Sequence, residues 1–420
     1  MKFAHLADTH LGYRQYGLLE REEDFCNVFE EIIDKIIEER VDFIIHSGDL
    51  FETAKPSPNA LLVFQEQLMK IKKADIPFYA IAGNHDTIMR QNALPPQVLY
   101  KKLGLTLISP NNSIVNSFFL KENNIFIGGT PFIPKSQENY LKDKLNHLSK
   151  EANSYSENNS SNGNNPKKIL VSHQGIDKYL PFQYELEIAD IPTNFNYYAF
   201  GHVHNRILDD FGEGKLAFPG STEIWKVNEL ADYKKRGKGF YIVDIDEDIP
   251  EVESVNIDLP REFILKNIEY SKFTSEIIEL ERYISSLKNK PILNLTIEKG
   301  NFNSSDIYKE LNKTFSKICL MIRPSFKSED LINQEIHING KESLEPRELL
   351  IEHLKAFENE DISNLAIDLL DSLSKNKIEE SEKIANSFYN EYFGNIHNES
   401  NESISKTNHE SKFDNFQETF

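Results

Sequence analysis

Five short stretches of this chain place oxygen- and nitrogen-bearing side chains directly after runs of apolar residues. Asp8-Thr9-His10 follows residues 3–7, and Gly48-Asp49 follows 41–46. Gly83-Asn84-His85-Asp86 follows 77–82, Ser172-His173 follows 168–171, and Gly201-His202-Val203-His204 follows 197–200. Polar groups launched from the carboxyl ends of buried strands point into a crevice rather than a core. Pooled, the stretches offer two Asp, one Asn and four His as ligands, with His85 as a further imidazole. That mixture suits two divalent ions, which a carboxylate such as Asp49 can bridge. Oxygen and imidazole donors without thiolate favour Mn2+ and admit Mg2+, Fe2+ or Zn2+. Two ions so held would clamp a phosphate, lower the pKa of a water and stabilise a leaving oxygen.

Taken singly, each stretch has a plainer reading. Asp-X-His near a chain start serves as a cap or loop, Gly-Asp after a strand as a turn, and His173 as a satisfied core histidine. Gly-His-X-His says more, because residues i and i+2 lie on one side of an extended chain. The recurrence of all five at strand ends is what points to a single metal-bearing edge.

The elements that must position these residues follow a strand–helix alternation. Between Glu22 and Arg40, Phe25, Val28, Phe29, Ile32, Ile33, Ile36 and Ile37 form one apolar helical stripe. Strand 41–46, helix 58–73 and strand 77–82 come next, the grammar of a layered α/β domain. Further strands are expected at 114–120, 125–129, 168–173, 197–200, 215–218 and 239–244. The polar, low-complexity tract 151–166 is expected to be a flexible surface insertion. After residue 250, extended runs at 252–257, 263–268, 291–298 and 317–323 with a helix near 273–287 suggest a smaller α+β domain. Residues 343–393 read as amphipathic helix. The Ser/Asn/Glu tail from Gly394 carries Phe413, Phe416 and Phe420, an aromatic content unusual for disorder.

A length of 420 residues allows two or three domains. The first residues enter a strand at once, so no leader is expected, and no run reaches membrane-spanning length. Cys26 and Cys319 are the only cysteines, so nothing suggests a disulfide framework or a thiolate zinc site, and a reducing cytosol is the natural compartment. A net charge of −20 argues against a uniformly basic nucleic-acid binder. Residues 342–420 hold about 18 acids against about 7 bases, so roughly half of the excess is confined to the C-terminal fifth.

The order Asp-X-His, Gly-Asp, Gly-Asn-His-Asp, His, Gly-His-X-His resembles the calcineurin-like metallophosphoesterase superfamily. Asp8-Thr9-His10-Leu11-Gly12-Tyr13, Gly48-Asp49-Leu50-Phe51 followed by Lys55-Pro56-Ser57-Pro58, Pro219-Gly220-Ser221 and Lys238-Gly239-Phe240 narrow it. They resemble the DNA double-strand-break repair nucleases, the meiotic-recombination type and bacterial SbcD. The motif-bearing match covers residues 1–244. The resemblance implies an α/β fold: a layered β-sandwich metallophosphoesterase core flanked by helices, a smaller α+β capping domain and a C-terminal helical extension. Its divisions would be a nuclease domain at 1–249, a capping domain at 250–340 that shapes the DNA path, ATPase-binding helices at 341–393 and a disordered tail at 394–420.

By the same resemblance, Asp8, His10, Asp49 and His204 would hold one Mn2+, and Asp49, Asn84, His173 and His202 the other. His85 would be catalytic, stabilising the transition state or protonating the leaving 3′ oxygen. Tyr13, Arg14, Gln15 and Glu52 would line the DNA. Relatives of the archaeal and eukaryotic type carry a histidine where this chain has Glu52, whereas SbcD-type members are acidic there. The exchange bears on the balance between 3′–5′ exonuclease and single-strand endonuclease action. The implied partners are DNA (duplex ends, single strands, hairpins), an SbcC-like SMC-type ABC ATPase and a second copy of the chain, paired through helices 58–73 and 94–103 with Leu61 and Leu62. The implied setting is the cytoplasm, on the nucleoid. Two rivals stand beside this reading. One is a two-metal phosphoesterase with another substrate, although Asp49 is followed by Leu50-Phe51-Glu52 and not by the Asp-Arg-Gly of protein phosphatases. The other is a DNA-end-tethering scaffold with little nuclease activity.

Overall fold

The computed structural model describes residues 1–87, 94–109, 116–120, 124–159, 165–327, 360–373, 381 and 383–388. In chain order the first elements are β1 (Lys2–Leu6), α1 (Leu19–Glu38), β2 (Phe43–His46), α2 (Pro58–Lys73), β3 (Phe78–Ala80) and β4 (Leu105–Leu107). Then come β5 (Asn116–Leu120), β6 (Ile125–Thr130), α3 (Glu138–Asn159), β7 (Lys167–His173), β8 (Tyr197–Gly201), β9 (Ile207–Phe211) and β10 (Gly214–Phe218). They are followed by α4 (Leu230–Arg236), β11 (Lys238–Asp244) and β12 (Glu251–Ile257). A 3-10 helix, Pro96–Leu103, stands where a helix was expected at 94–103.

The strands form two six-stranded sheets, ordered β12-β11-β1-β2-β3-β4 and β5-β6-β7-β8-β10-β9. Period-two alternation decides which side chain goes where. In β1, Phe3 faces the opposite sheet with Phe43, Ile45, Tyr79, Ile127, Ile169 and Tyr197, while Ala4 and Leu6 face the helices. The stripe of α1 (Phe29, Ile32, Ile33) and α2 (Phe64, Leu68) covers the first sheet. Leu141, Leu145, Leu148 and Ala152 of α3 cover the second. The result is the helix-flanked β-sandwich anticipated from the sequence. Ser57 starts α2 by accepting the Ala60 N–H at 3.1 Å, with Pro58 in the first turn.

The tract 151–166 departs from expectation, because α3 runs through Asn159 with Ala152 fully buried. One apolar residue per turn is enough to hold a helix whose remaining positions are solvated; residues 160–164 lie outside the described part. The boundary at 250 is also displaced. β12 pairs antiparallel with β11 along its whole length, Lys238 opposite Ile257 and Asp244 opposite Glu251, so residues 251–257 complete the first sheet.

The smaller module comprises β13 (Phe263–Glu269), α5 (Phe273–Ser285), β14 (Ile292–Glu298), α6 (Ser304–Phe315) and β15 (Met321–Lys327). Its three strands are all parallel, each linked by a crossover helix. Ile277, Leu280, Leu311 and Phe315 cover one face. The strand expected at 317–323 begins at Met321, because Cys319 N–H still closes the turn of α6 on the Phe315 carbonyl at 2.8 Å. Module and sandwich belong to one compact unit, Met1–Glu329.

The second unit, Asp330–Phe420, is described only in part. It contains α7 (Glu360–Leu373), in which Leu365, Ile367, Leu369 and Leu370 are half-buried. The rest of the helical expectation for 343–393, apart from 381 and 383–388, and the whole aromatic tail lie outside the described residues. No helix among the described residues is long and apolar enough to cross a membrane.

Candidate metal centre

β1, β2 and β3 run parallel in one sheet and β7 and β8 in the other, so within each sheet their carboxyl ends lie side by side. The loops leaving them are held in a costly conformation. Asp8, His10, Asp49 and His202 all have positive φ (53°, 45°, 54° and 88°), a region non-glycine residues avoid. The strain is sustained by a lattice of backbone and side-chain bonds: Asp8 N–H to the Gly48 carbonyl at 3.0 Å, His10 N–H to that of Asp49 at 3.1 Å, and His202 N–H to both Asp8 carboxylate oxygens at 3.1 Å. Glycines let the loops approach. A Cβ at Gly48 would strike the His173 ring, and one at Gly83 would overlap the Asp49 carboxylate.

All seven expected ligands converge. Asp8, His10 and His204 bring one ligand atom each to within 4.8 Å of one another, and so do Asp49, His173 and His202. Asp49 Oδ2 lies 3.3 Å from His173 Nε2 and 3.9 Å from His10 Nε2, between the two groups. Asn84 Oδ1 sits 3.1 Å from His173 Nε2 and 2.8 Å from His202 Nδ1. His85 stands at the rim of a cleft of ≈ 320 Å³ that Asp49, Asn84, His202 and His204 also line.

The outer hydrogen bonds decide which ring nitrogen faces inward. His173 Nδ1 is 2.7 Å from the Ser47 carbonyl, which can only accept, so Nδ1 carries the proton and Nε2 points into the site. His204 Nδ1 is held the same way by Glu229 at 2.9 Å. His10 Nδ1 lies 2.9 Å from Glu52 Oε2. The Nε2 atoms of His10 and His204 then face each other at 3.2 Å. At that distance the two nitrogens need either a proton shared between them or a cation that both can ligate. The Glu229–His204 pair is the arrangement that orients metal-bound imidazoles, and Glu52 puts a second carboxylate charge behind His10. The donor set therefore fits two divalent ions.

Electrostatics agree. Burial pushes the Asp49 carboxyl up, but the charge and hydrogen bond of His173, with His10 and His85, outweigh it and hold Asp49 well below the carboxylate range. Burial works against a charged His173, yet Asp49 and Asp8 raise it to about 9. Burial, with His173 nearby, lowers His202 to about 3. Without a cation, one imidazole must carry a proton to neutralise the carboxylates.

Several residues of the site were not legible as such. Asp86, the last residue of Gly-Asn-His-Asp, accepts the N–H groups of Leu50 (3.1 Å), Phe51 (2.9 Å) and Gly83 (3.1 Å), tying two ligand loops together. Lys238 Nζ reaches Glu229 (2.7 Å), Ser221 Oγ (2.5 Å) and the His204 carbonyl (3.0 Å), which explains why Pro219-Gly220-Ser221 and Lys238-Gly239 stand out in the sequence. Trp225 packs on His10 with ring centroids 5.4 Å apart and 26° between planes.

The loop expected to touch DNA is divided. Arg14 is exposed and pairs with Glu22 at 2.5 Å, and Tyr13 is half-buried against Phe25 and Trp225. Gln15 is buried. Its amide donates to the carbonyls of Ile224 (3.1 Å) and Trp225 (2.8 Å), and its oxygen accepts from Arg21 at 2.9 Å, which leaves nothing for a nucleic acid. Glu52 likewise turns inward, toward His10 and the Trp225 indole.

Residues 1–206 match the family described as calcineurin-like phosphoesterase. The chain is similar to the DNA double-strand break repair protein Mre11 of Methanococcus maripaludis, with 37% identity over 360 residues, covering 84% of this chain and 91% of the relative. It is 38% identical over 370 residues to the Methanocaldococcus jannaschii protein of the same name, covering 84% and 90%. With the Saccharolobus solfataricus protein of that name it shares 32% identity over 393 residues, covering 90% and 96%.

Proposed function

Since the chain belongs to the Mre11 family of double-strand-break repair proteins, within the calcineurin-like phosphoesterases, and is a metal-dependent phosphodiesterase, we propose that it is a Mn2+-dependent DNA nuclease acting as 3′–5′ exonuclease and single-strand endonuclease. The observation that carries this reading is the pair of ligand groups meeting at Asp49. Asp8, His10, Asp49 and His204 would hold one ion, and Asp49, Asn84, His173 and His202 the other. Bound there, the ions supply electrophilic stabilisation of a phosphodiester and a more acidic water.

The chain's own groups do the rest. His85 keeps its Nδ1 proton on the Glu52 carbonyl at 2.8 Å, leaving Nε2 to serve the leaving 3′ oxygen. Its backbone N–H, bonded to Asp49 Oδ1 at 2.8 Å, fixes that position relative to the bridge. Exposed Arg14 and half-buried Tyr13 remain the strand-facing members of their loop.

Homodimerisation through α2 and the following 3-10 helix is supported by Leu62, Met69, Leu94 and Leu99, which are all exposed. Leu61 packs inward instead. An SbcC-like ABC ATPase is the proposed partner of the C-terminal helices. Cleavage of single-stranded DNA and of a phosphopeptide under Mn2+, with a chelator control, tests the proposal. DNA cleavage lost on chelation supports it. Phosphopeptide hydrolysis alone favours a phosphatase, and end binding without cleavage favours a tethering scaffold.

A further inference from the structure

Glu52 and Trp225 are 173 residues apart in sequence and meet at the wall of the cleft, with the indole Nε1–H donating to Glu52 Oε2 at 3.0 Å. The same oxygen lies 2.9 Å from His10 Nδ1. Trp225 is the chain's single tryptophan. One of its faces lies on His10, Tyr13 leans on the indole at 5.5 Å and 33°, and His85 and His204 meet it nearly edge-on at 87° and 88°. Lys226 Nζ stands 4.4 Å from the ring centroid.

We infer that Glu52 and Trp225 are a paired positioning device for the first ligand group. The carboxylate accepts from the indole and places its charge 2.9 Å from His10 Nδ1, out of line for a hydrogen bond, so it favours a proton on that nitrogen with Nε2 inward and clamps Trp225 as the outer wall of that group. The Glu52 carbonyl, on the same residue, holds His85. Glu52 therefore acts through His10, His85 and Trp225, and its charge is spent inside the protein rather than against a nucleic-acid strand. Removing a carboxylate that stands behind a metal-ligating histidine typically costs about 10–100-fold in metal affinity. The inference rests on reading His10 as a cation ligand.

The lone tryptophan makes the test direct. Emission and acrylamide quenching of Trp225 are measured on the full chain without metal, for wild type and for Glu52→Gln and Glu52→Ala. Mn2+ binding is measured by calorimetry on the same proteins and on Trp225→Phe, with circular dichroism as a check of folding. The expected result is greater quenching of Trp225 in both Glu52 variants and Mn2+ affinity reduced about 10–100-fold at one of two sites. Loss of kcat on single-stranded DNA with little change in KM belongs to the same result. Unchanged quenching and Mn2+ affinity would overturn the inference, and a raised KM alone would make Glu52 a strand contact instead. If wild type binds no Mn2+, the nuclease reading falls, while the quenching comparison still decides whether Glu52 holds Trp225.

Discussion

Asp49 carries more of the site than any other side chain: it lies between both ligand groups, receives the His85 N–H and balances His173. Asp49→Ala should therefore abolish both metal-binding events in calorimetry, whereas Asn84→Ala should weaken only one. Because His173 holds a proton to about pH 9 in the empty site, metal must displace it at neutral pH. Mn2+ affinity should rise about tenfold per pH unit below that value and level off above it, with proton release visible in buffers of different ionisation enthalpy. A flat pH profile would show that His173 is already neutral in the empty site. The seven candidate ligands were legible in sequence because each is a polar residue at the end of an apolar run. Trp225 and Glu229 were not, and Gln15 and Glu52 were picked out for the DNA instead of for their inward contacts, because these roles depend on partners far along the chain that no spacing reveals.

The loops that end the strands work only because particular backbone conformations are enforced. Gly83 packs so closely on Asp49 that Gly83→Ala should destabilise the fold by more than about 1 kcal/mol and impair Mn2+ binding, read by thermal melting and calorimetry. An unchanged melting temperature would show that the two loops can part without penalty. Strand–helix order was visible in the apolar periodicities of α1, β2, α2 and β3. The helix at 138–159 was hidden, since a Ser/Asn/Glu-rich surface masks the leucines at 141, 145 and 148. β9 was hidden too, because its alternating half-buried residues Ile207, Asp209 and Phe211 make no apolar run.

Across Met1–Glu329, sandwich and parallel module are joined by a chain of charges. Arg261 pairs with Asp24 at 2.8 Å, Asp24 with buried Arg21 at 2.6 Å, and Arg21 with Glu223 at 3.2 Å, two residues before Trp225. Arg323 reaches the Tyr16 hydroxyl at 3.0 Å. Arg261→Ala should cost about 1–3 kcal/mol in denaturant unfolding, since it leaves a largely buried carboxylate with one cation fewer. A neutral effect would mean that the Arg261–Asp24 pair does not help to hold the module. The change of pattern near residue 250 was readable, but β12 belongs to the preceding sheet because its partner β11 offers an open edge, a pairing no local signal announces.

The most direct test of the account is anomalous scattering at the manganese edge from crystals grown with Mn2+. It predicts two peaks in each subunit that share Asp49, one bounded by Asp8, His10 and His204 and the other by Asn84, His173 and His202. A single peak, or peaks away from Asp49, would contradict it.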